Sequence, residues 1–162
     1  MILGFIVVSF VVLSFGLVVF FGAPYLPTLD KQAEQALDLL DLQPGQTLLD
    51  LGSGDGTMLI RAAKRGIKSV GYELNPILFI FSWLRTRKYR RLITIKCRNF
   101  WITSWPSSDG VFVFLHTNFM QSLDKKLKLY AKSNGLRVVS FTFEIPHKKP
   151  IKRQKSLFLY TY

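Results

Sequence analysis

Between Leu49 and Thr57 an apolar run closes on Asp50, and Gly52, Gly54 and Gly56 follow at alternate positions before helix-forming residues begin. This pattern commits the chain to a strand, a tight loop and a helix. Glycine has no Cβ, so the backbone can turn sharply and come close to a ligand. Seventeen positions after Gly56, the run Val70-Gly71-Tyr72 ends in Glu73. An acid at that strand tip can accept hydrogen bonds from ribose hydroxyls, so the two segments together point to an adenosine-bearing cofactor. A dinucleotide loop would carry its third small residue one position later, where this chain has Thr57.

The remaining punctuation reads as strands alternating with helices. Thr28 is a good N-cap for a helix near residues 29–41, whose apolar stripe is Leu29, Ala33, Ala36, Leu37 and Leu40. Pro44-Gly45 breaks the chain before a strand from Thr47 to Leu51, and Gly66 ends a helix that starts at Thr57. Strands follow at Ser69 to Glu73, Leu92 to Lys96, Gly110 to Leu115 and Arg137 to Phe143. A helix is expected from about Met120 to Ser133, with Leu123, Leu127 and Tyr130 inward and Asn134-Gly135 as its cap. A basic loop from Pro146 to Lys155 leads to a last strand, Ser156 to Tyr162. Alternation of this kind implies a mostly parallel sheet covered on both faces.

Asn75-Pro76 opens a helix of a different character, with asparagine as cap and proline at the first helical position. Ile77, Ile80, Phe81 and Leu84 supply the expected core face, yet Leu78, Phe79 and Trp83 carry apolar character around the cylinder. Arg85, Arg87, Lys88, Arg90 and Arg91 follow at once. Two readings stand side by side: a helix from Phe79 to Arg91 lying against anionic lipid, or one packed deeply in a small domain before a solvated basic loop.

Residues 1–23 contain no charge and are dominated by Ile, Val, Leu and Phe. As a helix they would be about 33 Å long, against roughly 30 Å of hydrocarbon. A cleaved signal peptide would have a positive start and small residues before the cut, whereas Phe21 stands at that place. The expected organisation is therefore a membrane anchor over residues 1–23 and one domain over residues 24–162, the latter carrying the whole net charge of +12. That charge, and a lone Cys97 that cannot form an internal disulfide, place the domain on the cytoplasmic side, or the matrix side in an organelle.

The spacing Asp50-x-Gly52-x-Gly54-x-Gly56 resembles motif I of class I S-adenosylmethionine-dependent methyltransferases. Read with Pro24-Tyr25-Leu26-Pro27-Thr28, Gly71-Tyr72-Glu73-Leu74-Asn75-Pro76 and Asn99-Phe100-Trp101, the chain is similar to a family of membrane-anchored protein-lysine N-methyltransferases. Members of that family act on the c-ring protein of ATP synthase and on the adenine nucleotide translocase. The similarity runs from about Pro24 to Phe143. It implies a Rossmann-like class I methyltransferase fold with an antiparallel closing strand, behind one N-terminal transmembrane helix. The implied cofactor is S-adenosyl-L-methionine, without a metal. The implied cofactor residues are Thr28, Asp50, Gly52, Ser53, Gly54, Asp55, Gly56, Glu73, Leu74, Asn99 and Phe100. Asn99 stands where the family usually has an acid facing the adenine amino group.

Methyl transfer to an amine needs an aligned, deprotonated nucleophile and exclusion of water, and desolvation beside a sulfonium lowers an amine's pKa without a strong base. No catalytic residue is therefore required by the chemistry. His116 and Asn118, after the fourth strand, are the residues that could accept a proton or orient an amine. The expected partner is a protein presenting a lysine near the membrane, since tethering raises the local concentration of such targets. Two alternatives use the same residues differently. The basic stretch from Arg85 to Arg98, with Tyr89, could track RNA phosphates in an RNA methyltransferase or binding module. No Asn/Asp-Pro-Pro-Tyr/Phe element follows the fourth strand, however, and a nucleic-acid partner is not the favoured one. The chain could also be a degenerate, non-catalytic relative.

Overall fold

The structure, a computed structural model, describes residues 4–6, 8–9, 12, 16, 30–131 and 135–162. Helix α1 (Asp30–Leu40) leads into β1 (Thr47–Leu51), α2 (Thr57–Lys64), β2 (Lys68–Glu73) and α3 (Pro76–Thr86), with a 3-10 turn at Arg87–Tyr89. Strands β3 (Ile93–Cys97) and β4 (Gly110–Val113) precede α4 (Thr117–Tyr130), β5 (Arg137–Phe141), β6 (Lys152–Gln154) and β7 (Leu157–Thr161). One seven-stranded sheet has the order β3-β2-β1-β4-β5-β7-β6. Strands β1 to β5 are parallel, and β7 runs antiparallel between β5 and β6.

Successive strand residues point to opposite faces, and both faces are buried, so the central strands are apolar throughout rather than alternating. Leu49, Leu51, Val111, Val113, Val138 and Tyr160 pack with Met120, Leu123 and Leu127 of α4 on one face. Leu48, Phe112, Val139, Leu157 and Leu159 pack with Ala36, Leu37 and Leu40 of α1 and with Met58 and Ala62 of α2 on the other. The expected α1 stripe is borne out at Ala33, Ala36, Leu37 and Leu40. Gly66 closes α2 with φ of +74°, as the break in the pattern implied.

Four expectations need correction. The segment expected to be a basic loop holds β6, whose Lys152, Arg153 and Gln154 pair with Leu159, Phe158 and Leu157 in a hairpin; a charged edge strand has no apolar alternation to announce it. Helix α4 begins three residues early because His116 caps it, Nδ1 accepting the Asn118 N–H at 3.4 Å. No helix joins β3 to β4. Residues 98–109 instead form a knot in which Trp105 Nε1 donates to the Phe100 carbonyl (2.9 Å), and Lys126 Nζ donates to the carbonyls of Trp101 (2.5 Å) and Thr103 (3.2 Å). Tyr130 donates to the Pro106 carbonyl (2.6 Å) and lies edge-on to Trp105.

The fourth concerns α3. Its inward face is Leu78, Ser82 and Thr86, while Ile80, Phe81, Trp83 and Leu84 are exposed. The reason is steric: a Cβ on Gly56 would stand 3.1 Å from Thr86 Cγ2 and 3.2 Å from Ser82 Cβ, so the glycine loop occupies the space a large side chain on that face would need. The stripe expected to face the core therefore faces out.

The span expected over residues 1–23 falls mostly outside the described residues, as do Tyr25, Pro27, the Thr28 cap and Asn134. Among the described residues no helix is long and apolar enough to cross a membrane.

Candidate functional site

Parallel strands bring Asp50 and the glycine loop, Glu73, Asn99 and His116 to one edge of the sheet, where their carboxyl ends converge. The loop crosses over the end of β2: the N–H groups of Gly52 and Ser53 both donate to the Tyr72 carbonyl at 2.9 Å. Gly52, Gly54 and Gly56 take φ of +94°, +52° and +80°, a region closed to most side chains. At Gly52 a Cβ would meet nothing within 4 Å, so the loop presents bare backbone to open space.

That path depends on a residue absent from the expected site. A Cβ on Gly71 in β2 would lie 2.7 Å from Ser53 Oγ and 2.8 Å from Leu59 Cδ1, so only glycine lets the loop settle on the strand. An isolated glycine inside an apolar strand signals such an approach, and Gly71 could have been found from that alone.

Glu73 is 4% exposed, and its carboxylate accepts N–H groups from Gly54 (Oε2, 2.8 Å) and Asn75 (Oε1, 2.8 Å). Burial raises its pKa, and the donated N–H bonds oppose the rise. Asp50 is 2% exposed, and its pKa is pushed up to about 8, first by burial and then by the negative charges of Glu73 and Asp55. Ser53 Oγ is buried among the described residues without a hydrogen-bond partner. The site thus holds crowded acids and an unused hydroxyl beside bare backbone, an arrangement that a cationic ligand rich in hydroxyls would relieve.

Asp55 has a different setting from its loop neighbours. Its carboxylate accepts from Thr57 N (3.1 Å) and Thr57 Oγ (2.9 Å), closing the first turn of α2, and it forms an ion pair with Arg85 of α3. Arg85 also donates to the Asp55 carbonyl at 3.0 Å. Nothing in the sequence pattern announces this tie between loop and helix. Asn75 caps α3 as expected, its Oδ1 accepting from Ile77 N (2.8 Å) and Leu78 N (3.3 Å).

Asn99 folds back on its own turn, Oδ1 accepting the Trp101 N–H at 2.9 Å. Phe100 is buried and its ring meets that of Trp101 at 4.7 Å, while Leu74 is half-buried. His116 and Asn118 stand at the same edge and are exposed; the His116 Nδ1 is used by the helix cap, which leaves only Nε2 for proton traffic. Thr28 lies outside the described residues. A groove of about 1310 Å³ runs along the α4 side, lined by Gln46, Trp101, Trp105, Asp109, Lys126 and Leu136 among others, and contains none of the glycine-loop residues. Among the described residues no cluster of His, Cys, Asp and Glu could hold a metal ion.

The comparisons with known proteins agree with this geometry. A family model for the ANTKMT methyltransferase domain matches residues 50–152. A lysine N-methyltransferase of Rattus norvegicus, named for the c-ring protein of ATP synthase, is 34% identical over 131 residues, which are 78% of this chain and 59% of that protein. A protein-lysine N-methyltransferase of Saccharolobus islandicus is 33% identical over 126 residues, 75% of this chain and 78% of that protein. The chain spans only 59%, 54% and 51% of the rat, human and mouse relatives, so their whole-protein properties do not transfer with the domain. Among solved structures, an RNA methyltransferase from Salinibacter ruber in complex with S-adenosyl-L-homocysteine superposes with a TM-score of 0.77 at 25% identity, covering 85% of this chain and 92% of that one.

Proposed function

Because the chain belongs to the family of ANTKMT methyltransferase domains, we propose that it is an S-adenosylmethionine-dependent protein-lysine N-methyltransferase whose target is a membrane or membrane-proximal protein. The observation that carries this reading is the pairing of two buried carboxyls, Asp50 and Glu73, around a glycine loop of positive φ at the carboxyl edge of the sheet. The residues fit such a cofactor on three counts. Gly52 offers unobstructed backbone, Ser53 Oγ lacks a partner, and the crowded acids favour a ligand bearing an ammonium and a sulfonium. S-adenosylmethionine, when bound, supplies an electrophilic methyl group on a positive sulfur.

Glu73 would hold the ribose hydroxyls, since each carboxylate oxygen retains accepting capacity beyond its one backbone N–H. Asp50, directly or through water, would hold the amino-acid end, and the loop from Gly52 to Gly56 would line it. Leu74 and Phe100 would flank the adenine, with the Asn99 turn beside it. Arg85 keeps Asp55 in place rather than leaving it for the ligand. Water exclusion and alignment are this chain's contribution to the reaction; a lysine amine desolvated there loses its proton more readily, so no strong base is needed. His116 and Asn118 would do no more than orient the amine or relay its proton.

The names of the Rattus norvegicus and Saccharolobus islandicus relatives support lysine as acceptor. The uncharged start of the chain supports a single-pass anchor over residues 1–23, with the domain on the cytoplasmic or matrix side. A second reading, RNA methylation, draws on the likeness to the Salinibacter ruber enzyme and on the basic residues after α3. Incubating host membranes and total RNA with the purified chain and methyl-labelled cofactor separates the two. The expected result is a labelled protein mapped to a lysine, with Glu73→Gln reducing cofactor affinity at least about tenfold while leaving the fold intact. Label in RNA would favour the second reading. Absence of calorimetric heat from the donor and its demethylated product would remove both.

A further inference from the structure

Helix α3 carries its apolar stripe on the wrong side for a core. Ile77, Ile80, Phe81 and Leu84 recur at i, i+3, i+4 and i+7, which is the spacing of a face that must be buried against something. Yet Ile80 is 56% exposed, Phe81 50%, Trp83 58% and Leu84 49%. The opposite face is closed off by Gly56, which leaves room only for Leu78, Ser82 and Thr86. Immediately beyond the helix, Arg87, Lys88, Arg90 and Arg91 are all exposed. From Asn75 to Arg98 there are seven basic residues and no acid.

We propose that the outward face of α3 and the turn after it form a docking surface for an anionic lipid bilayer. Apolar and aromatic side chains flanked by uncompensated cations are what an interfacial helix presents to acidic headgroups. A second copy of the chain is a poor occupant, because apposing two such clusters, each on a body of net charge +12, is repulsive. A protein partner would have to bring the negative charge that a bilayer offers over the whole plane. Arg85 is not among the lipid contacts; it is committed to Asp55 and lies 5.6 Å from the centre of the Phe81 ring. The surface is independent of whether the site transfers methyl groups.

The test uses the full chain with Cys97→Ser and Ile80→Cys, the new thiol carrying a polarity-sensitive fluorophore. A control places the fluorophore at Gln121→Cys, on the exposed side of α4. Both are reconstituted with vesicles of phosphatidylcholine alone or mixed with phosphatidylglycerol. Emission from position 80, but not from position 121, should rise several-fold and shift to the blue only with phosphatidylglycerol, and high salt should reverse it. Reversing Arg87, Lys88, Arg90 and Arg91 to Glu should raise the anionic-lipid content needed for half response at least about tenfold. Water-like emission from position 80 in phosphatidylglycerol vesicles that carry the protein would overturn the proposal. So would an equal shift in phosphatidylcholine alone, which would mean that the chain's own apolar segment, a second copy or a neutral apolar phase covers the face. The salt reversal decides the matter on a chain with its basic residues intact, should the quadruple variant fail to fold.

Discussion

Asp50 is a carboxyl placed where water cannot reach it and where two other acids stand nearby. With a folded pKa of about 8 against an unfolded value of 3.8, the native chain holds a proton that the unfolded chain has lost between those limits. Stability contributed by this group is therefore greatest below about pH 4, falls as pH rises through the window, and levels off above pH 8. Asp50→Asn removes the titration. The melting temperature of the variant minus that of the unsubstituted chain should increase from pH 5 to pH 8, a divergence on the order of a few kcal/mol in unfolding free energy. A constant difference across that range would show that Asp50 is ionised throughout. The same proton bears on the ligand: a cation settling beside Asp50 expels it, so binding near pH 7 should release up to about one proton, measurable as buffer-dependent calorimetric heat.

At the scale of the element, α3 is two helices in one. The inner side is specified by the glycine loop and tolerates only small residues; the outer side is specified by whatever lies beyond the molecule. Ser82→Leu forces a branched side chain toward the Gly56 backbone, and such overpacking costs about 1–3 kcal/mol. Because the strain falls on the loop, ligand affinity should drop along with the urea midpoint. Trp83→Ser, one residue away but facing out, should leave stability within about 0.5 kcal/mol. Equal losses from the two substitutions would contradict the inside-out assignment of this helix. The tie from Arg85 to Asp55 makes α3 part of the site's scaffold even though none of its outer residues reaches the cofactor edge.

Across the whole molecule, the parallel core and its binding edge were legible because their signals are chemical necessities. Three alternating glycines after an acid dictate the loop, and continuous apolar runs dictate strands buried on both faces. Asn75-Pro76 marked the start of α3 for the same kind of reason, a cap and a fixed φ. The features that were not legible depend on contacts between distant residues. Periodicity shows that α3 has an apolar stripe but not which side of it meets the sheet; only the position of Gly56 decides that. Strand β6 is charged because it lies at an edge, and the link from β3 to β4 is held by Trp105, Lys126 and Tyr130 instead of a helix, a substitution that no local pattern encodes. Gly71 belongs with the readable features, since its signal is local even though its role lies in a neighbouring loop.

The far edge of the sheet has a practical corollary. Strand β3 ends at Cys97, which is exposed and stands in register with Glu73 on the neighbouring strand. Burial, and then the Glu73 charge, raise its thiol pKa, so alkylation should be sluggish at neutral pH. The lone sulfur is thus a built-in sentinel at the rim of the ribose seat. Iodoacetamide should modify it more slowly once the demethylated cofactor is added, and an unaltered rate would mean that the ligand rests elsewhere.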